Sequence, residues 1–506
     1  MREAVKLSRQ YKVFSSVPEE ERGETYFLPK RRPMVRHVIN TCFVAVNFAL
    51  PLKSFLLSTR SLNISRTVLL AAVMLVVCTP SSLAQVVQRG RDALLRGDYE
   101  RVIEDEFSSQ QQVAGAALTA AGEQRLVAPF STPATSGEVY PTGIFPDDVI
   151  HVQDAVRHGG NIILKATDSR GTPLAFNFGP PVAAGAVALI KDVKIRGENI
   201  NGMMTQINGG DTPFRCVNPI ISSIQDIDFE GPRGNAIRVL RSAGVEITGN
   251  RIRNVVEAPS GGITIARGIL VAGLSSPADI SGRVLIAHNS IDGIGGLASY
   301  GISVAFLDAV VSIVDNSVSR INLNGILVGN NTHLATIMRN TVVPGPLVGP
   351  PDFTAGNGIF VGHSRGGGYV ITNNEVSCEN PFADGIAVIG SSAQPVNNSV
   401  ITSNDVTVQG SFFGAISLYD VVSSTLISAN NISGDGALAL QIGVFVSPTP
   451  GVAVSNTLVA NHISTFHSRT ADVLLDIVSQ RTTLVGFGGT VIDYGFDNRI
   501  IGFTKL

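Results

Sequence analysis

The chain has 506 residues, a formal net charge of −2, 52 glycines, 44% hydrophobic residues and 15% charged ones. Near-neutral charge gives no electrostatic footing for nucleic acid or an anionic membrane. No zinc spacing, phosphate-binding loop or dinucleotide fingerprint occurs, so no metal and no cofactor is predicted.

Residues 1–84 read as an N-terminal extension and signal peptide. Arg66 precedes the apolar run Val68 to Val77, and Ser82-Leu83-Ala84 gives a small-x-small cleavage site before Gln85. The expectation is export to the periplasm, cell surface or medium, with a mature chain starting at Gln85. Residues 1–65 read as lying ahead of the true start. The alternative is a cytoplasmic tail before an uncleaved anchor, for which the run is short against a span of about 20 residues.

Residues 85–107 have helical period, with Leu94, Leu95, Tyr99, Val102, Ile103 and Phe107 on one side. Residues 108–146, rich in Gln, Ala, Ser, Thr and Pro, read as a linker. Asp147 and Asp148 are expected to cap a short helix with Val149, Val152 and Val156 on one face, closed by Gly159.

From there to residue 506 one phrase recurs: aliphatic, two residues, Asn, one residue, Ile or Val. Its asparagines are Asn250, Asn289, Asn316, Asn340, Asn374, Asn404, Asn430 and Asn461. A second phrase, Gly-Ile-x-Val, keeps step with it at Gly268, Gly301, Gly325, Gly358 and Gly385, with looser copies at Ala415–Leu418 and Gly443–Val446. Spacings in the range of roughly 20–50 residues mark repeat architectures. Each unit holds three short alternating strands, which gain stability by pairing in parallel with the next unit. The Asn is expected to take the left-handed backbone at a sharp corner and to form an amide ladder at about 4.8 Å per coil. A β-sandwich offers no reason for a corner Asn in phase with Gly-Ile.

These motifs resemble the right-handed parallel β-helix repeat family, the superfamily of pectate lyases and polygalacturonases. The resemblance covers residues 147–506 and implies an all-β right-handed parallel β-helix solenoid with a short N-terminal capping helix. It also implies that any active cleft lies along the first strand, Gly-Ile-x-Val, and the turn after it. Cys216 and Cys378 lie 162 residues apart. That is five or six coils, about 25 Å along the stack, so they cannot form a disulfide within one chain.

The outward residues of the first strands are expected to be Leu270, Ser303, Leu327, Phe360, Ala387, Ser417 and Phe445. This stripe lacks the acids and bases that hydrolysis or proton abstraction needs. Its apolar Leu327 and Phe360 suggest a surface covered by a loop, by the linker or by another chain, with polysaccharide or a protein as the possible partner on the stripe. The following turns supply Asp308, Asn330, Asn331, His333, His363, Arg365, Tyr419 and Asp420. Among these, His363, Arg365 and Asp420 are the catalytic candidates, with His363 as base and Arg365 gripping a carboxylate. Asp308, Asn330, His333, Tyr419, Leu327 and Phe360 are the binding candidates. His462 and His467 have no third ligand at metal spacing. Three readings follow: an exported module that binds glycan or protein, a polysaccharide lyase, hydrolase or epimerase, and a purely structural solenoid.

Overall fold

The computed structural model describes residues 137–506, apart from 181–184, 190–192, 218–220, 242–243, 261–262, 274–280, 297, 306, 332, 346–355, 363–367, 380–382, 445–452 and 487. The expected signal sequence, the expected helix at 85–107 and most of the expected linker lie outside these residues.

The chain is a right-handed parallel β-helix. Its second strands form one 14-stranded sheet, and the first and third strands share a 23-stranded set of pairings. Among the described residues pairing is parallel except for Asn199–Ile200 with Met203–Asn208, Ala258–Ser260 with Ile263–Ala272 and an isolated bridge between Thr167 and Pro173.

Register confirms the repeat phrases. In the second strands Ile247, Ile286, Ile313, Ile337, Ile371, Ile401, Ile427 and Leu458 pair in succession. In the first strands Ile269, Ile302, Ile326, Ile359, Ile386 and Ile416 do the same. All are buried in one continuous core, which no isolated three-residue strand could assemble. The next member of the first-strand column is Leu440, which pairs with Ile416. The copy expected at Gly443–Val446 is therefore displaced, and Gln441 takes the outward place assigned to Phe445, which lies outside the described residues. The inward residues of that coil are Leu440 and Ile442, in the single strand Asn431–Val444, whose pairings carry register shifts.

The recurring Gly has a packing reason. A Cβ on Gly301, Gly325, Gly358 or Gly385 would fall inside van der Waals contact with Val318, Val342, Val376 or Val406, the apolar residue that follows the corner Asn in the third strand. The first and third strands meet there too closely for any side chain.

The corner Asn does not itself take the left-handed backbone. That conformation belongs to the residue before it: Gly249, His288, Asp315, Arg339, Asn373, Ser403, Ala429 and Ala460, with φ of 54–68°. The Asn instead supplies the ladder. Each Asn from Asn250 to Asn430 donates both its backbone N–H and its Nδ2 to the Oδ1 of the next, at 2.9–3.2 Å. Nδ2 also reaches a strand carbonyl of the coil below, as Asn340 does to Ile313. These buried bonds hold the preceding residue in a backbone region that costs about 1 kcal/mol or more.

The N-terminal end is covered by α1 (Asp147–Arg157), whose Val152 and Val156 are fully buried. The expected side-chain cap is not made. Buried Asp148 turns away from the helix and accepts bonds from the backbone N–H of Thr142, Gly143 and Asn177 and from Thr142 Oγ1. Fixing the entering loop satisfies that carboxylate more fully than one helix N–H would. The solenoid also begins earlier than Asp147, since Glu138–Val139 pairs in parallel with Gly160–Leu164. Cys216 and Cys378 are both buried, and neither forms a disulfide.

Candidate functional site

Along the first strands the outward column reads Arg215, Arg238, Leu270, Ser303, Leu327, Phe360, Ala387, Ser417, Gln441 and Leu474. Arg215 and Arg238 come from coils that carry no Gly-Ile phrase, so the repeat pattern missed them. The column therefore does contain ionisable groups.

The stripe is covered within the chain itself, one of the covers expected for it. Leu327 is 8% and Phe360 9% exposed. They pack with Tyr300, Leu323, Ile389 and Tyr419 in a second apolar cluster, separate from the main core. A strand alternation tells which side a residue faces, but not what lies over that side.

The polar centre of the face is Asp384, immediately before the Gly385-Ile-Ala-Val phrase. It is fully buried. Its carboxylate accepts the Ser417 hydroxyl at 2.6 Å and the Tyr419 hydroxyl at 2.9 and 3.1 Å, both from the next coil. Ser417 and Tyr419 alternate with the core residues Ile416 and Leu418, so the carboxylate lies on the outer face. Bonds of this kind satisfy the buried carboxyl group and hold the phenol in one orientation. Asp384 sat in plain view in the sequence, but only the stacking of coils shows that it meets residues 33 and 35 positions away.

Asp384 ends a row at the start of successive first strands. Asn235 pairs with Arg267, Arg267 with Tyr300, Tyr300 with Asn324 and Asn324 with Asn357. Asn357 Oδ1 in turn accepts the backbone N–H of Asp384 at 2.9 Å. The Arg267 guanidinium lies 5.5 Å from the centre of the Tyr300 ring, within cation–π range.

The remaining candidates separate. Leu327, Phe360 and Tyr419 share one cluster. Asn330 and Asp420, both with φ of 53°, are corner residues whose backbone N–H groups bond to Gly362 and Val444. Asn331 closes its turn through Nδ2 to the His333 carbonyl at 2.9 Å, and the His333 side chain is exposed. Asp308 heads the second strand Asp308–Val314, beside Ser281 rather than in the turn. His363 and Arg365 lie outside the described residues. His467 stands in register with Asp435, and no group of three metal-binding side chains converges among the described residues.

No protein-family model matches the chain, and no curated protein does either. Similar solved structures include the A-module of mannuronan C-5 epimerase AlgE4 from Azotobacter vinelandii, at 14% identity and TM-score 0.36, covering 68% of this chain and 96% of that one. DFA-IIIase from Arthrobacter chlorophenolicus A6 is similar at 14% identity and TM-score 0.35, covering 70% and 92%. Tailspike protein 3 of bacteriophage CBA120 is similar at 13% identity and TM-score 0.30, covering 70% and 58%. At these identities the likeness concerns the fold alone.

Proposed function

We propose that this is an exported β-helix protein that binds carbohydrate on the outer face of its first strands. The observation that supports this is the Asp384–Ser417–Tyr419 cluster set beside Leu327, Phe360 and Tyr300 on one face. A sugar ring offers hydroxyls on its edge and apolar C–H groups on its faces. Convergent polar groups against an aromatic and aliphatic wall match both, and because these side chains are at most 9% exposed, binding requires their cover to move aside. Export rests on the apolar run and the Ser82-Leu83-Ala84 cleavage site.

The test is calorimetric titration of the full chain with a panel of neutral and acidic oligosaccharides, repeated with Tyr419→Phe. Binding weakened at least tenfold by loss of that one hydroxyl supports the reading. No binding across the panel, or unchanged binding by Tyr419→Phe, sinks it.

A second reading, a polysaccharide-active enzyme, is favoured by the same Asp384–Tyr419 contact, because a phenol bonded to a carboxylate can pass a proton to or from a substrate oxygen or carbon. Reducing-end release or unsaturated-product absorbance, abolished in Asp384→Asn, would establish turnover. Absence of both with binding intact would leave a binding module.

A further inference from the structure

The outer face of the 14-stranded sheet carries a long uncharged patch. Eight successive strands, from Ser281–Ala287 to Thr483–Val485, turn outward the two side chains that flank their buried aliphatic residue. None of these side chains is charged, and all but Ala287 are partly exposed. From the second strand of the run onward, each couples one aliphatic residue or Met with one Ser or Thr, as in Thr336/Met338 and Val400/Thr402. Val310 and Leu334, 47% and 45% exposed, border the patch. Charge returns on both sides of the run, with Glu246 in the strand before it and Arg499 in the strand after it.

Contiguous exposed surface of this kind marks a contact. Its size does not suit a second copy of the chain. Seven steps of about 4.8 Å make it roughly 34 Å long, and a width of about 10 Å gives about 340 Å², against ~800 Å² per partner in a standard interface. We propose that residues 85–107 of the same chain cover this face. They lie outside the described residues, and their sequence sets six apolar side chains, from Leu94 to Phe107, on one side at helical spacing. A helix of 23 residues is about 35 Å long and about 10 Å across, the dimensions of the patch. The strands are three to seven residues long, so such a helix is covered in full only when it runs along the stack.

The chain also enters at the right place. Glu138–Val139 is the first strand of this same sheet, five steps or about 24 Å before Ser281–Ala287. A coil of 29 residues, the length of 108–136, spans roughly 30 Å. A tether of that kind holds its end at an effective concentration of order mM, so docking needs less area than a free partner does.

The experiment is hydrogen exchange of the full chain, read by mass spectrometry over residues 91–107, because an undocked helix of this length opens freely in water. Two variants charge the face: Val370→Lys/Val400→Lys, and Thr372→Lys/Thr402→Lys at partly exposed hydroxyl positions. A third, Val102→Asp/Ile103→Asp, charges the segment and alters no residue of the solenoid. Thermal melts show which variants remain folded. The expected result is exchange at least tenfold faster in each folded variant than in the native chain, with native protection unchanged on tenfold dilution. Unchanged exchange in a folded face variant overturns the proposal. So does protection that is lost on dilution, which assigns the face to a second copy.

Discussion

Asn340 gives its backbone N–H and its Nδ2 to the single Oδ1 of Asn374, at 3.0 and 2.9 Å. Its own Oδ1 receives the same pair from Asn316. One side chain therefore joins three coils, and truncating it strands buried donors and acceptors in each.

Asn340→Ala should destabilise the fold by about 3 kcal/mol, since unmade buried hydrogen bonds cost roughly 1–3 kcal/mol apiece. Asn461→Ala should cost less, because Asn461 ends the ladder and is only part-buried. Denaturant midpoints of the two variants check this. Equal effects would mean that the ladder adds nothing to the corner.

Ala429 has φ of 54° and is exposed at the corner before Asn430. Ala429→Gly should raise stability by up to about 1 kcal/mol, because glycine removes the Cβ penalty of that backbone and returns part of the gain as unfolded-state entropy. A lower melting temperature for the variant would place the strained residue elsewhere, on Asn430 itself.

Leu327 is buried within the chain, so Leu327→Asp puts an unpaired carboxylate into an apolar cluster. The monomer should lose several kcal/mol of stability, about 3 or more. Circular dichroism melts read this directly. A fully stable Leu327→Asp monomer that has lost an association would show that another chain covers the stripe.

Acid should weaken the fold through ion pairs between neighbouring coils, at the second-to-third-strand corner and along the third strands. Arg339 donates to both oxygens of Asp315 at 2.7 Å and holds that carboxyl below the ordinary aspartate value. Arg320 does the same for Asp292. Because these values are lowered in the fold, their contribution is complete above the unfolded value of about 3.9 and is lost as pH falls through the folded value. Burial pushes the Asp228 carboxyl up, and its effect has the opposite sign. Both arginines are largely solvent-exposed, so the effect is small. Melting temperatures between about pH 2 and 6 should fall more steeply below pH 4 for the native chain than for Arg339→Gln. Parallel curves would remove Asp315 from the account.

The architecture was legible in the residues alone. Period-two alternation, the Asn and the Gly recur because every coil meets the same local demands: an inward aliphatic column, an amide at the corner and no side chain where the first and third strands cross. Short-range repetition of that kind is written once per turn. What the sequence left open depends on contacts between residues that no local pattern relates. It named Asn340 as a corner residue but not which neighbour bears the left-handed backbone, because the ladder's bonds run between coils. It placed Leu327 and Phe360 on the outer side and under cover, but not whether a loop, the linker or another chain supplies that cover. It passed over Asp384, Arg215 and Arg238, since none belongs to the repeated phrase, and it joined Tyr419 to its chain neighbour Asp420 rather than to Asp384. Stacking brings residues some 30 positions apart within hydrogen-bond reach, and only the folded solenoid decides which carboxylate that phenol meets.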